Sequence, residues 1–351
     1  MLNKINKKVC ILLLHNTKET GLYEYARIYN QVYQNSEIVL LSQLYSNISQ
    51  WEILFRFSFY RKRIEKKIKE ELSSYEIIHI CDNPIYSLNV IKILNKYKIN
   101  TIYTLHDPES HYEKSIKDNL KKRLKIKLQN YSLNKISNFK FVKIHIHSVW
   151  RSINFKNVIV YPHPLYHIAS ATNKLDSPDE DGFFTIGFFG RIEYYKGIDL
   201  FLEILKTLDV NVSINKVKVL IVGKGKIDPS FKVKNLIIEI HNYYVKDNHF
   251  DKMLSMCDLV LLPYRQASQS GVLMKTMTFN IPVIVSSIKE LADYVEDEKT
   301  GYVLNINDIN DWSSTILSLI ESPEVVREMS LEIETNKKKY EPLNIALMLY
   351  S

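Results

Sequence analysis

Residues 190–197, Gly-Arg-Ile-Glu-Tyr-Tyr-Lys-Gly, follow an apolar run and precede a stretch of helical periodicity. They set a guanidinium, Arg191, and an ammonium, Lys196, at either end of a loop that Gly197 lets enter the helix. Arginine grips phosphate oxygens in bidentate fashion while lysine acts as a point charge, so the pair suits a diphosphate. Gly190 precedes them at the strand end. A second stretch, residues 257–287, is CDLVLLPYRQASQSGVLMKTMTFNIPVIVSS. In it, 258–263 is an apolar run closed by a proline and 265–271 a polar loop of small residues. Residues 272–279 form a helix stopped by Pro282, and 283–285 are a second buried strand. The resulting βαβ unit exposes free N–H groups at the helix start of Ser270, Gly271 and Val272. Open α/β sheets bind ligands at such a place, and it favours an anion.

Other chemistry-bearing residues carry less. Gly21 closes a loop after the first strand, where a helix start could approach a ligand or simply be capped. His106 stands with Asp107 and Pro108 at the carboxyl edge of strand 101–105. His145 and His147 share one face of strand 141–147 with Lys143; paired imidazoles can hold a metal, but no acid or cysteine stands at ligand spacing. Two structural histidines are the expectation. The acidic triplet Asp179, Glu180 and Asp181 follows no apolar strand and is expected to be a solvated turn. Cys10, Cys81 and Cys257 lie far apart in or beside strands, as buried small hydrophobes of a reducing compartment.

The elements that must position these groups alternate through the whole chain. Its 351 residues, 46% hydrophobic and 25% charged, suggest two globular domains. Strands are expected at 9–14, 38–41, 77–80, 101–105, 141–147 and 158–161, with helices at 22–33, within 51–72, up to Leu94 and at 114–127. After a polar linker, 168–182, strands recur at 183–187, 217–222, 236–240, 258–263 and 283–285. Helices there fall at 198–208, 247–256, 272–279, 312–320 and 323–338. That alternation argues for an α/β protein of two doubly wound, Rossmann-like parallel sheets facing across a cleft. The N-terminal domain would span 1–167 and the C-terminal domain 183–335, with 336–351 packing back on the first. No apolar run reaches the length of a membrane span, and the start of the chain lacks the pattern of a signal peptide.

The net charge of +8 is unevenly spread: residues 1–170 carry 27 basic and 13 acidic side chains, and 171–351 carry 20 and 26. A basic half beside an acidic one suits a polyanionic surface, nucleic acid or an anionic membrane leaflet. Solvated helix faces are the plain alternative. Phe55, Phe57, Phe59 and Tyr60 stand among Arg56, Arg61, Lys62 and Arg63, as in an interfacial segment. No nucleic-acid-binding motif is visible.

GFFGRIEYYKGIDLFLEIL (187–205) resembles the signature of retaining glycosyltransferases of family 4, which have the GT-B fold. VKVLIVGKG, CDLVLLPY, SGVLMKTMTFNIPVIVSS and Lys299-Thr-Gly-Tyr-Val follow in the family's order. TLHDPESH (104–111) and YPHPLY (161–166) resemble segments of a subgroup that builds bacterial surface polysaccharides. The match covers most of 100–320; the first hundred residues match in pattern only.

The resemblance implies a cytoplasmic enzyme that needs no metal or other cofactor. It would move a hexose from a UDP- or GDP-sugar to a saccharide, lipid-linked at the inner face of the membrane. Arg191 and Lys196 fall on the pair that neutralises the diphosphate, His106 on the histidine that reaches the transferred sugar, and Gly21 on the turn near the donor phosphates. Ser270 and Gly271 fall on the helix start that receives the distal phosphate, with Val272 following. The backbone around Tyr244 falls where the nucleobase is held. Two departures stand out: Gln266 or Ala267 and then Lys275 occupy the places of two usual glutamates, and Lys289-Glu290 those of two glycines. A non-catalytic subunit of the same fold is therefore the first alternative. A nucleic-acid-binding protein, and an epimerase or phosphorylase of the fold, rank lower.

Overall fold

A computed structural model describes residues 7–14, 21–40, 57–106, 120–147, 155–166, 182–211 and 216–351. Residues 51–56, 107–111 and 179–181, and the linker up to 181, lie outside them. The chain divides into two compact units, one holding residues up to Pro164 together with Tyr340–Ser351, the other Leu165–Lys339. The boundary lies a few residues before the expected linker.

The first unit is built from β1 (Val9–Leu13), α1 (Gly21–Val32), β2 (Ser36–Leu40), α2 (Phe57–Leu72), β3 (Ile77–Ile80) and α3 (Pro84–Lys96). After these come β4 (Asn100–Thr104), α4 (Leu120–Ile136), β5 (Val142–Ile146) and β6 (Val158–Val160). Its six strands run parallel in the order β2-β1-β3-β4-β5-β6. β1 is buried throughout, as parallel strands covered on both faces must be. Helix α3 starts where Asn83 accepts from the Ile85 N–H at 3.0 Å and Pro84 takes the first position, a cap worth about 1 kcal/mol. The basic helix expected at 114–127 is described from Leu120 and runs on to Ile136.

The last helix of the chain, residues 342–350, also belongs here: Ile345, Ala346, Leu349 and Tyr350 pack into the core of β1 and α1. A hydrogen-bonded row fastens it across the sheet. The His145 Nε2 must donate to the Tyr161 carbonyl, 3.0 Å away, so its Nδ1 accepts from the Thr104 hydroxyl at 2.9 Å. Thr104 then accepts from His79 Nε2 at 2.7 Å, and His79 Nδ1 from the Tyr350 hydroxyl at 2.9 Å. With both imidazoles neutral, every nitrogen and hydroxyl of this buried row has a partner.

The second unit holds β7 (Phe184–Phe189), α5 (Ile198–Asn211), β8 (Val217–Val222), β9 (Ile237–His241), α6 (Asp247–Ser255), β10 (Leu259–Leu262) and α7 (Gly271–Thr278). β11 (Val283–Ser286), α8 (Lys289–Ala292), β12 (Gly301–Leu304), α9 (Ile309–Glu321) and α10 (Pro323–Asn336) complete it. The parallel order is β12-β11-β10-β7-β8-β9. The order reverses between β7 and β10, so the loops leaving their carboxyl ends diverge and open the crevice of a doubly wound sheet. Phe188, Phe201, Leu205, Ile316 and Trp312 fill the core beneath, and the 0% exposed Trp312 donates its indole N–H to the Asn305 carbonyl at 3.0 Å.

Candidate active site

Both loops at that switch point are built by backbone contact. Gly197 has φ +71° and a Cβ there would lie 1.9 Å from the Pro263 carbonyl oxygen; only glycine lets the chain after β7 pass this close to the end of β10. Arg265 clamps the same junction. It donates to both carboxylate oxygens of Asp199 at 2.6 Å and to the Tyr194 carbonyl at 3.0 Å, and lies over the Tyr194 ring at 4.1 Å. Sequence reasoning passed over this residue. Its signal was an arginine just after a buried strand, with an acid in the first turn of the helix it faces.

Lys196 is held inside this junction. Its ammonium donates to the Tyr264 hydroxyl at 2.7 Å and sits 4.2 Å above that ring's centre. Burial lowers its pKa to about 8; Tyr195 and Glu193 oppose that shift and Arg191 adds to it. Burial raises the Tyr264 phenol, which therefore stays protonated. Arg191 is two-thirds exposed at 66%, with Glu193 at 3.5 Å; it donates to the Tyr195 hydroxyl at 3.0 Å. One cation is thus preorganised by protein and the other is open to a ligand.

Gly190 joins the pair to the second motif. A Cβ on it would lie 3.2 Å from Lys196 Nζ and 3.4 Å from Val272 Cγ2, so Lys196, Gly190 and the first turn of α7 meet. Ser270 caps that helix, accepting from the Leu273 N–H at 3.2 Å. Gly271 and Val272 remain as first-turn N–H groups of the kind that bind anions. Gly271 is pinned by Tyr166, whose hydroxyl would be 2.7 Å from a Cβ there, a neighbour sequence reasoning did not supply. In the same loop, Ser268 Oγ and Gln269 Oε1 are buried with no hydrogen-bond partner, whereas Gln266 is exposed.

Lys275 does not join the two cations. It is 12% exposed and paired with Asp251 at 2.5 Å, with Asp247 at 3.6 Å, between the rings of Tyr166 and Phe250 at 5.2 Å each. This ties α7 to α6. Tyr244 is 68% exposed. Its loop is anchored at Asn242, which exchanges two 3.0 Å hydrogen bonds with the Gly225 backbone after β8.

In the first unit, His106 stands just past β4 and Gly21 opens α1. Tyr25, one turn into α1, meets the His106 ring edge-on at 4.4 Å, so both residues belong to the carboxyl end of that sheet. The expected His145–His147 pair divides. His145 is consumed by the row described above, while His147, 7% exposed, has no hydrogen-bond partner at either nitrogen. Among the described residues no group of three His, Cys, Asp or Glu is arranged to hold a metal, and no helix is long and apolar enough to cross a membrane.

Known proteins resemble this chain in sequence and fold. The family model "Glycosyl transferases group 1" fits residues 184–322. An uncharacterized glycosyltransferase of Methanocaldococcus jannaschii is 24% identical over 256 residues, 70% of this chain and 66% of that protein. The poly(ribitol-phosphate) alpha-N-acetylglucosaminyltransferase of Staphylococcus aureus is 28% identical over 158 residues, 43% of this chain and 31% of that one. The matched stretches span less than two thirds of these relatives' lengths. Anabaena HepE, solved in complex with UDP, superposes with a TM-score of 0.69 at 13% identity, over 97% of this chain and 98% of HepE; that likeness is one of fold. Residues 184–322 match the glycosyl transferases group 1 family model, and the two six-stranded parallel sheets have the GT-B fold.

Proposed function

We propose that this protein is a glycosyltransferase that moves a hexose, with retention, from a UDP- or GDP-sugar bound by the second unit to a lipid-linked saccharide bound by the first. The step would serve surface-polysaccharide assembly at the cytoplasmic face of a membrane. The observation that carries the donor half is the meeting of Lys196, Gly190 and the start of α7 at the switch point, with Arg191 open beside them. Cleaving the sugar–phosphate bond builds negative charge on the leaving diphosphate while the sugar turns cationic. Arg191, Lys196 and the Gly271 and Val272 N–H groups would take that charge, a preorganised role usually worth about 3–4 kcal/mol per important donor. In this reading the protein's own cations serve the diphosphate without a metal. Ser268 and Gln269 supply hydrogen-bonding groups toward sugar hydroxyls, and the Tyr244 loop holds the base. In the same reading His106 serves the transferred sugar.

A thermal-shift screen of nucleotide sugars tests the donor half. One UDP- or GDP-sugar at about a hundred times its Kd should stabilise the protein by about 2.7 kcal/mol, and Arg191→Ala should abolish the shift. If none of them shifts the midpoint, the donor reading fails. A non-catalytic subunit is the second reading, favoured by Gln266 and by Lys275, which faces Asp251 where a glutamate is usual. Intact donor binding without transfer or donor hydrolysis across a broad acceptor panel would select it.

Helix α4 supports the membrane side. Leu124, Leu128 and Tyr131 are 57%, 43% and 55% exposed at i, i+4, i+7 spacing, on a helix with six basic and no acidic residues. Such a face suits the headgroup boundary of an anionic leaflet. The protein should float with vesicles containing phosphatidylserine and not with pure phosphatidylcholine. Leu124→Ser with Leu128→Ser should reduce the floated fraction about tenfold or more, since each loses apolar burial worth about 1.5–3 kcal/mol. Equal flotation on both lipids would remove the membrane from the reading.

A further inference from the structure

The carboxyl end of the first sheet gathers three imidazoles from separate strands around one aromatic ring. His147, after β5, lies 5.3 Å from His106 and 5.0 Å from His163, ring centre to ring centre. Tyr25 meets all three edge-on, at 4.4 Å for His106, 5.2 Å for His163 and 5.5 Å for His147. The rings around His147 are fixed by other bonds, while neither of its nitrogens has a partner at hydrogen-bond distance and angle. Tyr25 is fixed by the Tyr29 hydroxyl at 2.8 Å, and His145 by Thr104 and Tyr161. His163 donates Nδ1–H to the Pro164 carbonyl at 2.7 Å, which makes its Nε2 a lone-pair nitrogen.

Buried polar atoms are nearly always paired, and an exception calls for a function. His147 is such an exception, and its neighbours say which ligand it suits. Burial and the adjacent imidazoles keep His147 neutral, and burial holds His163 at about 4. A neutral imidazole offers one donor and one acceptor, the complement of a hydroxyl, whereas an anion would demand a cation that this cluster resists forming. We propose that His147, with His163 beside it, reads a hydroxyl of a neutral saccharide acceptor next to His106. This rests on the first unit being the acceptor side.

The test uses opposite signs. His147→Phe keeps the ring packing and deletes both nitrogens; His147→Leu does the same where the larger ring does not fit. Removing an unpaired buried polar group should leave the thermal midpoint unchanged or raise it by about 2–4 °C, with UDP binding intact. The same variants should weaken binding of methyl glycosides of glucose, galactose, mannose or N-acetylglucosamine about tenfold in ligand-observed NMR, the worth of one lost hydrogen bond. His147→Gln, which keeps a donor and an acceptor, should restore it. Glucose 1-phosphate should bind no better than the neutral glycosides. A lower midpoint with glycoside binding undiminished in the Phe and Leu variants overturns the proposal alone. No binding of any glycoside by the unmodified protein overturns the acceptor reading beneath it.

Discussion

Replacing Lys196 by methionine is expected to lower kcat for sugar transfer by about 10²–10³-fold, the usual effect of removing one preorganised donor to a developing charge. Methionine keeps an unbranched stem over the Tyr264 ring, so the loss belongs to the ammonium. The fold should not suffer. The Lys196 pKa is lowered to about 8 in the folded protein, against about 10.4 for a free lysine, which means folding disfavours this charge at neutral pH. Removing it should therefore leave the midpoint unchanged or slightly higher. The pH profile supplies a second signature. The lysine is cationic below about 8 and neutral above, so donor kcat/KM should decline as pH rises through that value, because this ratio reports the free enzyme. The methionine variant should lack that limb. A variant with wild-type kcat, or one that keeps the alkaline decline, would remove Lys196 from the chemistry. Arg191→Ala should act on the same charge, and the double variant should lose less than the product of the two, since groups serving one transition state are not additive.

The strand ends proposed to carry this chemistry were legible as strand ends because parallel strands buried on both faces leave unmistakable apolar runs. 217–222 and 258–263 are two of them, and the glycines and cations stand just beyond such runs. What joins the loops was not legible. Lys196 finds Tyr264, and Arg265 finds Asp199, across more than sixty residues, and no periodicity encodes a partner so far away. Lys275 illustrates the same limit: the sequence marked it only as standing in a glutamate's place, and the packing of α7 on α6 gives it an ion pair with Asp251. The two histidines of β5 are equivalent by alternation. Their roles separate because Thr104 and the Tyr161 carbonyl bond His145 at 2.9 and 3.0 Å, while neither nitrogen of His147 has a partner at hydrogen-bond distance and angle.

Those histidines also set the condition under which the first unit should fail. Four buried imidazoles are held neutral mainly by burial: His79 and His147 lie well below the usual range, and His145 and His163 at about 4. In the unfolded chain each returns to about 6.5. Because the folded values are the lower ones, unfolding takes up protons below pH 6.5. The stability is complete above that value and drains as pH falls toward 4. One pH unit below the unfolded value costs about 1.4 kcal/mol for each group. Four together approach about 5–6 kcal/mol at pH 5.5, the size of a typical domain's whole stability. Protonating His79 would also turn its Nδ1 into a donor to the Tyr350 hydroxyl and strip that hydroxyl of its acceptor, within the row that fastens the last helix. Hydrogen exchange at Ile78, Tyr103 and Ile144, measured from pH 8 to 5, should therefore show opening free energies that fall steeply below 6.5, by close to four protons' worth per unit. His147→Phe should flatten the slope by about one proton, since it removes a titrating group that supports no hydrogen bond. His79→Phe should instead lower stability at every pH by leaving the Tyr350 hydroxyl without its acceptor and Thr104 without one of its two partners. Opening free energies that stay level between pH 7.5 and 5.5 would mean these imidazoles titrate normally within the fold, and the neutral cluster would go with them.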